Sequence, residues 1–281
     1  MRCHWQELLN ILPLWIRSVV EPSGRDTLLE IRMRQNMPLQ LVFVKDRQWI
    51  DKNVTQEDLR FCINAATKYS PWTAGTLKEG YVTAPGGHRI GICGECVYDG
   101  NSLKNISGIT SVCIRIARDF ANISGNIYMR KGSILIIGSP GTGKTTFLRD
   151  LIRNMSNKQY GSVAVIDERR ELFPMTREVG FDRGSQTDVF SGCRKIDGIE
   201  MVLRTMNPSV IAIDEITSEN DCIALSRAAW CGVRLIATAH AGDKHDLFDR
   251  EVYKSILKRR IFQTLISLRS DKTWQEELLY L

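Results

Sequence analysis

Gly138-Ser139-Pro140-Gly141-Thr142-Gly143-Lys144-Thr145 fits the phosphate-loop pattern G-x-x-x-x-G-K-[ST] in full. A polyphosphate is wrapped by successive backbone N–H groups, which requires glycines free to take unusual φ/ψ. A helix opening near Lys144, with Thr146 in its first turn, points the positive end of its dipole at the phosphates. Lys144 is then placed to reach the β/γ oxygens, and the Thr145 hydroxyl to hold Mg²⁺. Context strengthens the pattern. The apolar run Ser133–Ile137 precedes it as a strand, and Phe147, Leu148, Leu151, Ile152 and Met155 share one face of the helix that follows. The expected ligands are ATP and Mg²⁺.

A second apolar run, Val210–Ile213, ends in Asp214-Glu215. In a parallel sheet, ligands sit at the carboxyl ends of strands. Asp214 is expected to serve Mg²⁺, usually through water, and Glu215 to orient the attacking water. Val163–Ile166 also ends in acids, Asp167 and Glu168, which read equally as site residues or as a surface charge cluster. His240 follows the run Leu235–Ala239 and is a candidate γ-phosphate contact. His88 and His245 have no such context, and His4 reads as N-terminal surface.

These groups need a sheet to hold them. Short, wholly apolar runs at Ser133–Ile137, Ser162–Ile166, Val210–Ile213 and Leu235–Ala239 alternate with helical stretches. That alternation argues a mainly parallel sheet covered by helices. The first part of the chain is patterned differently. Residues 5–20 read as a helix. Leu29, Ile31 and Met33 alternate with Glu30, Arg32 and Arg34 as a half-buried strand, and Leu39–Val44 is another. Thr55 and Asp58 resemble a capping box opening a helix through about Tyr69. Pro85-Gly86-Gly87 turns into a strand at Arg89–Cys93, and Ile114 and Ile116 flank Arg115 in a further strand. The fold class is therefore α/β, with a smaller α+β domain over residues 1–125 and a phosphate-loop NTPase domain over 126–281.

The net charge of +6 looks at first like an invitation to nucleic acid. By position it is less so. Residues 1–125 hold 15 basic and 12 acidic groups and residues 126–281 hold 23 and 20, a surplus of three each with no basic tail. No apolar run approaches the ~18 residues of a membrane span, so membrane contact would go through a partner. Of the eight cysteines, only Cys93 and Cys96 form a CxxC. No second pair follows, and reduced thiols are the expectation.

Taken together, these motifs resemble those of the secretion ATPase superfamily, the hexameric motors of type II and type IV secretion and of pili. Leu203-Arg204-Thr205-Met206-Asn207-Pro208 through Ile216 is similar to its segment around the second acidic motif. Ala237-Thr238-Ala239-His240-Ala241 is similar to its histidine box, and Ile166–Leu172 to its aspartate box. Gly80–Gly91, Ile114–Arg118 and Thr187–Val189 resemble, more narrowly, a sporulation family of that superfamily. The resemblance implies a RecA-like core, a PAS-like N-terminal domain and a homo-oligomeric, hexameric ring. It implies a cytoplasmic ATPase of endospore-forming bacteria, working on the mother-cell side beneath a channel to the forespore, with membrane proteins of that channel as partners. By matching, Arg89 and Arg115 are candidate arginine fingers; alternation alone shows only that Arg115 leaves the apolar face. Two alternatives remain at this stage: a nucleic-acid-dependent motor with the same core, and a nucleotide-gated scaffold with negligible turnover.

Overall fold

A computed structural model describes residues 2–68, 80–158, 161–174 and 180–280. These residues form two compact units; the first runs to Asp119 and also takes in Gly180 and Phe181, and the second comprises Phe120–Pro174 and the chain from Asp182 onward.

The first unit begins with two short helices, α1 (Trp5–Asn10) and α2 (Leu14–Val20). The sequence suggests one helix here. Pro13 lacks an N–H and fixes its own φ, so it starts α2 and ends continuity with α1. Strands β1 (Leu28–Arg34), β2 (Pro38–Phe43) and β3 (Arg47–Asn53) lead to α3 (Gln56–Thr67), then β4 (Tyr81–Thr83), β5 (Arg89–Asp99) and β6 (Ser102–Arg115). They make one sheet in the order β3-β2-β1-β6-β5-β4, every pairing antiparallel. One face is buried. Leu28, Ile31, Met33, Leu39, Leu41, Ile90, Ile92, Val112 and Ile114 meet Leu8, Leu9, Ile16, Leu59 and Ile63 of the helices in a single core. Leu29, expected to face inward, is exposed, because a register shift between Leu28 and Glu30 turns it outward. The capping box of α3 forms: Thr55 accepts from the Asp58 N–H, and Asp58 accepts from the Thr55 N–H at 2.8 Å. Its C-terminus is closed by Lys68 in the left-handed region, and Tyr69 lies outside the described residues.

The second unit carries β7 (Ile134–Ile137), α4 (Lys144–Asn157), β8 (Val163–Asp167), β9 (Thr187–Ser191), α5 (Lys195–Thr205), β10 (Val210–Ile213), α6 (Glu219–Trp230) and β11 (Arg234–Ala239). It ends with α7 (Lys244–Asp249), α8 (Lys254–Lys258), β12 (Thr264–Leu268) and β13 (Trp274–Leu278). The sheet order is β13-β12-β7-β11-β10-β8-β9, parallel throughout except for the β12–β13 hairpin at one edge. Strands β7, β8 and β10 are buried at every position, as expected of strands covered on both faces. Because β7, β8, β10 and β11 run the same way, their carboxyl ends share one edge of the sheet. Residues 120–124 are drawn in by Asp150 of α4, whose carboxylate accepts from the N–H groups of Asn122 and Ser124, both at 2.8 Å, and from the Ser124 hydroxyl at 2.7 Å. Burial alone would raise the Asp150 pKa; these bonds and Arg153 at 2.8 Å more than offset it and hold the group ionised.

Candidate active site

The phosphate loop runs from Gly138 to Thr145, between β7 and α4. Its two inner glycines have positive φ, 75° at Gly141 and 102° at Gly143, and a Cβ built on either would meet nothing within 4 Å. The space beside these two glycines is thus open, which leaves the loop accessible to a phosphate. Thr142 stitches the turn by donating to the Ser139 carbonyl at 2.9 Å. Lys144 curls over it, donating to the carbonyls of Gly138 at 2.6 Å and Ser139 at 3.2 Å. Partial burial pushes the Lys144 pKa down, opposed by the carboxylates of Glu215 and Asp214. Pro140 and Ser139 are exposed at the loop's tip, and Thr145 and Thr146 are half-buried in the first turn of α4.

Asp214 lies directly across from the start of α4. Its Oδ2 accepts from the Thr145 hydroxyl at 3.3 Å, and its Oδ1 accepts from the Thr238 hydroxyl at 3.2 Å and the Glu215 N–H at 3.0 Å. A hydroxyl and a carboxylate beside an open phosphate cradle form the hard oxygen donor set that Mg²⁺ takes together with substrate phosphates. The residues present therefore fit ATP with Mg²⁺.

Glu215 and His240 are adjacent, with Glu215 Oε1 3.0 Å from His240 Nδ1. The other carboxylate oxygen is 3.6 Å from the exposed Arg169 guanidinium. His240 is held from behind, where its N–H donates to the Tyr253 hydroxyl at 3.0 Å. Asp167 is at the same edge but turned to another task. It is fully buried, and its two oxygens accept from the N–H groups of Glu171 at 2.8 Å and Phe173 at 2.9 Å, shaping the loop that follows β8. Burial, with help from the Asp214 charge, raises its pKa to about 6 against the pull of those bonds. Glu168 is engaged by Lys195, 2.7 Å from its Oε2.

Three participants went unread in the sequence. Lys195 is only 4% exposed and bridges Glu168 to Asp221, 3.7 Å away, whose carboxylate completes the capping box that Ser218 opens at the start of α6. Arg149 of α4 donates to the carbonyls of Leu172 at 2.6 Å and Glu171 at 2.9 Å, tying the phosphate-loop helix to the loop after β8. Thr238 supports Asp214. Lys195 and Arg149 are common residue types in unremarkable spacing, so only the fold reveals their partners.

Arg89 and Arg115 belong to the first unit, directly opposite one another on β5 and β6. Arg115 is exposed, as its alternation suggests, 3.8 Å from Glu30, and Arg89 lies over the Tyr81 ring at 4.1 Å. His88, unassigned from sequence, directly precedes Arg89 and is wholly buried. Its Nε2 donates to the His4 carbonyl at 3.0 Å and its Nδ1 accepts from the Ala117 N–H at 3.1 Å. His4, read as surface, thus supplies the anchor for a buried histidine. Cys93 and Cys96 are exposed thiols on β5, and no group of three metal-ligating side chains occurs among the described residues.

A family model described as "Sporulation stage III, protein AA" matches residues 2–276. The chain belongs to that family. Within it, stage III sporulation protein AA of Bacillus subtilis (strain 168) is 33% identical over 280 residues, covering 95% of this chain and 91% of that protein. The solved structure of the Legionella pneumophila ATPase DotB matches with a TM-score of 0.60 at 16% identity, over 94% of this chain and 79% of that one. The pilus retraction motor PilT with bound ADP matches with a TM-score of 0.61, also at 16% identity, over 94% of this chain and 78% of that one. This member of the sporulation family therefore shares its α/β fold with DotB and PilT. No helix among its described residues is long and apolar enough to cross a membrane.

Proposed function

We propose that the chain is a Mg²⁺-dependent ATPase that couples hydrolysis to transport or assembly at a membrane channel of sporulation. The observation that carries this reading is the convergence at one sheet edge of an open phosphate cradle, the Thr145–Asp214 pair at 3.3 Å and the Glu215–His240 pair at 3.0 Å. Lys144 and the N–H groups from Gly141 to Thr145 bind the phosphates, Lys144 exchanging its carbonyl partners for the β/γ oxygens. Thr145 and Asp214 would hold Mg²⁺, which would supply neutralisation of phosphate charge there. Glu215 orients water for in-line attack on the γ-phosphate with no covalent enzyme intermediate, and His240 sits where it senses the γ-phosphate. Asp167 and Glu168 line this edge as positioning groups.

We read the first unit as PAS-like and the assembly as a cytoplasmic, hexameric ring on the mother-cell side, with channel membrane proteins as partners. At least one of Arg89 and Arg115 acts as an arginine finger, from the first unit of the same chain or of a neighbouring subunit, a role worth about 10³–10⁵ in rate. The family to which the chain belongs and the fold it shares with DotB and PilT support this reading.

Phosphate release from the purified chain with ATP-Mg²⁺ tests it. Lys144→Ala and Glu215→Gln each abolish turnover, and Glu215→Gln still binds ATP. Full turnover in Glu215→Gln would falsify the assignment of the water-orienting residue. Light scattering with ATP-Mg²⁺ tests the ring, and a strict monomer overturns fingers acting between subunits.

A further inference from the structure

The second sheet has a second feature at its opposite edge. Where β7 and β11 begin, a groove of about 510 Å³ opens between the end of α6 and the end of α8. Its lining includes Arg234, Arg259 and Arg260 and no carboxylate. Like charges confined in one groove repel unless an anion joins them, so the lining is complementary to negative charge.

The arginines are held in place. Arg259 lies over the Trp230 ring with its guanidinium 5.1 Å from the centroid, and Arg260 over Tyr280 at 5.4 Å. Arg260 closes α8 in the left-handed region at φ 53°, a position that glycine or asparagine usually fills. A non-glycine residue held there is strained, and such strain concentrates at ligand clamps. The floor is fixed as well. Gln263 accepts from the Ser133 N–H at 2.7 Å and donates to the Arg260 carbonyl at 3.0 Å, while Arg234 donates to the Gly132 carbonyl. Trp230 is 73% exposed at the rim, an aromatic of the kind that anchors interfaces.

We infer that this groove docks an acidic peptide segment of a partner protein, its carboxylates on Arg234, Arg259 and Arg260 and an apolar side chain against Trp230. Guanidinium forks match carboxylates bidentately, and stacking on aromatic rings pre-organises them. A nucleic acid would need a basic stripe that tracks a phosphate backbone. The second half of the chain has a surplus of only three charges and no basic tail, and this lining mixes its arginines with Ala229, Val233 and Ile261. A short acidic-apolar peptide fits both halves of that chemistry. The inference stands apart from the nucleotide reading, since none of these residues belongs to the phosphate-loop edge.

Fluorescence anisotropy with the full chain tests it. The probe is a fluorescein-labelled octapeptide of alternating Glu and Leu. The paired change R259E/R260E weakens binding about tenfold or more, because charge-assisted bidentate contacts are reversed. The paired change K45E/R47E alters net charge equally on the first unit and leaves binding within about twofold, because the contact is carried by the groove's own guanidinium groups and not by net charge. W230A also weakens the peptide. Equal weakening by the two charge reversals, absence of peptide binding, or tighter binding of an oligothymidylate of eight nucleotides each overturns the proposal. So does a change of self-association in R259E/R260E with peptide binding intact, which would assign the groove to contacts between copies.

Discussion

His240 Nδ1 and Glu215 Oε1 are 3.0 Å apart, on the ends of two neighbouring parallel strands, β11 and β10. The contact is set by backbone. The Tyr253 hydroxyl accepts from the His240 N–H and donates to the Ile216 carbonyl at 3.4 Å, while the Ile216 N–H donates to the Thr238 carbonyl at 2.8 Å. The two strand ends are thereby laced together through Ile216, one residue beyond Glu215, on one side and through Thr238 and the His240 N–H on the other.

From this geometry, His240→Ala lowers kcat by about 10- to 100-fold, the scale on which loss of a positioning hydrogen bond acts. ATP affinity changes little, because Lys144 and the N–H groups of the phosphate loop carry most of the contacts to the phosphates in this reading. Single-turnover phosphate release alongside equilibrium nucleotide binding separates the two, and a loss confined to affinity would contradict it.

Asp214→Asn and Thr145→Ala raise the Mg²⁺ concentration for half-maximal turnover by about tenfold or more. In Asp214→Asn an amide N–H₂ is turned toward one of three donors, from Thr145, Thr238 and Glu215, so the outcome is more than a loss of charge. Mg²⁺ titration of ATPase activity reads it, and an unchanged midpoint in both variants counts against their role.

His88 governs acid sensitivity of the first unit. Burial lowers its pKa from 6.5 to about 4, and its Nδ1 must stay unprotonated to accept from Ala117. Between pH 6.5 and 4 the unfolded chain binds the proton and the folded chain does not, so stability is full above pH 6.5 and falls as pH drops. The loss is on the order of 3 kcal/mol by pH 4, from 1.36 kcal/mol for each pKa unit. Asp167 acts in the opposite sense between its ordinary pKa and about 6, being better tolerated when protonated. Urea unfolding of the wild type and His88→Gln at pH 7.5 and pH 4.5 cancels that shared contribution. The wild type shows the steeper loss; parallel losses would exclude His88 as the source.

Gly198→Ala destabilises by about 1–3 kcal/mol, the usual result of inserting a methyl group into a packed core. A Cβ there would be 2.6 Å from Ile166 Cγ2 and 2.9 Å from Cys193 Sγ. Gly198 thus lets α5 approach β8, whose end carries Asp167. Thermal melting tests the prediction, and a melting point equal to wild type would refute it.

Much of the site was legible because local signals and fold agreed. The runs at Val210–Ile213 and Leu235–Ala239 became the buried strands β10 and β11, and the polar residues following them met at one edge, as parallel topology requires. Lys195 and Arg149 were illegible for the converse reason. Lys195 finds Glu168 27 residues away, and Arg149 finds backbone carbonyls, which carry no sequence signature at all. The same applies to His88, whose partners are the backbone of His4 and Ala117. In the first unit, alternation identified β1 but not the bulge that turned Leu29 outward. The turn Pro85-Gly86-Gly87 was visible as such, with Gly86 and Gly87 at φ 79° and 81°.

Asp150 gathers the segment at 122–124 onto α4, six residues past Lys144, or about 9 Å along the helix axis. In mechanical terms, the strand of chain leaving the first unit is moored to the same rod whose tip faces the phosphates. That mooring is a single carboxylate with five donors. Removing the Asp150 carboxylate would leave five donors without their shared acceptor and release residues 122–124 from the helix.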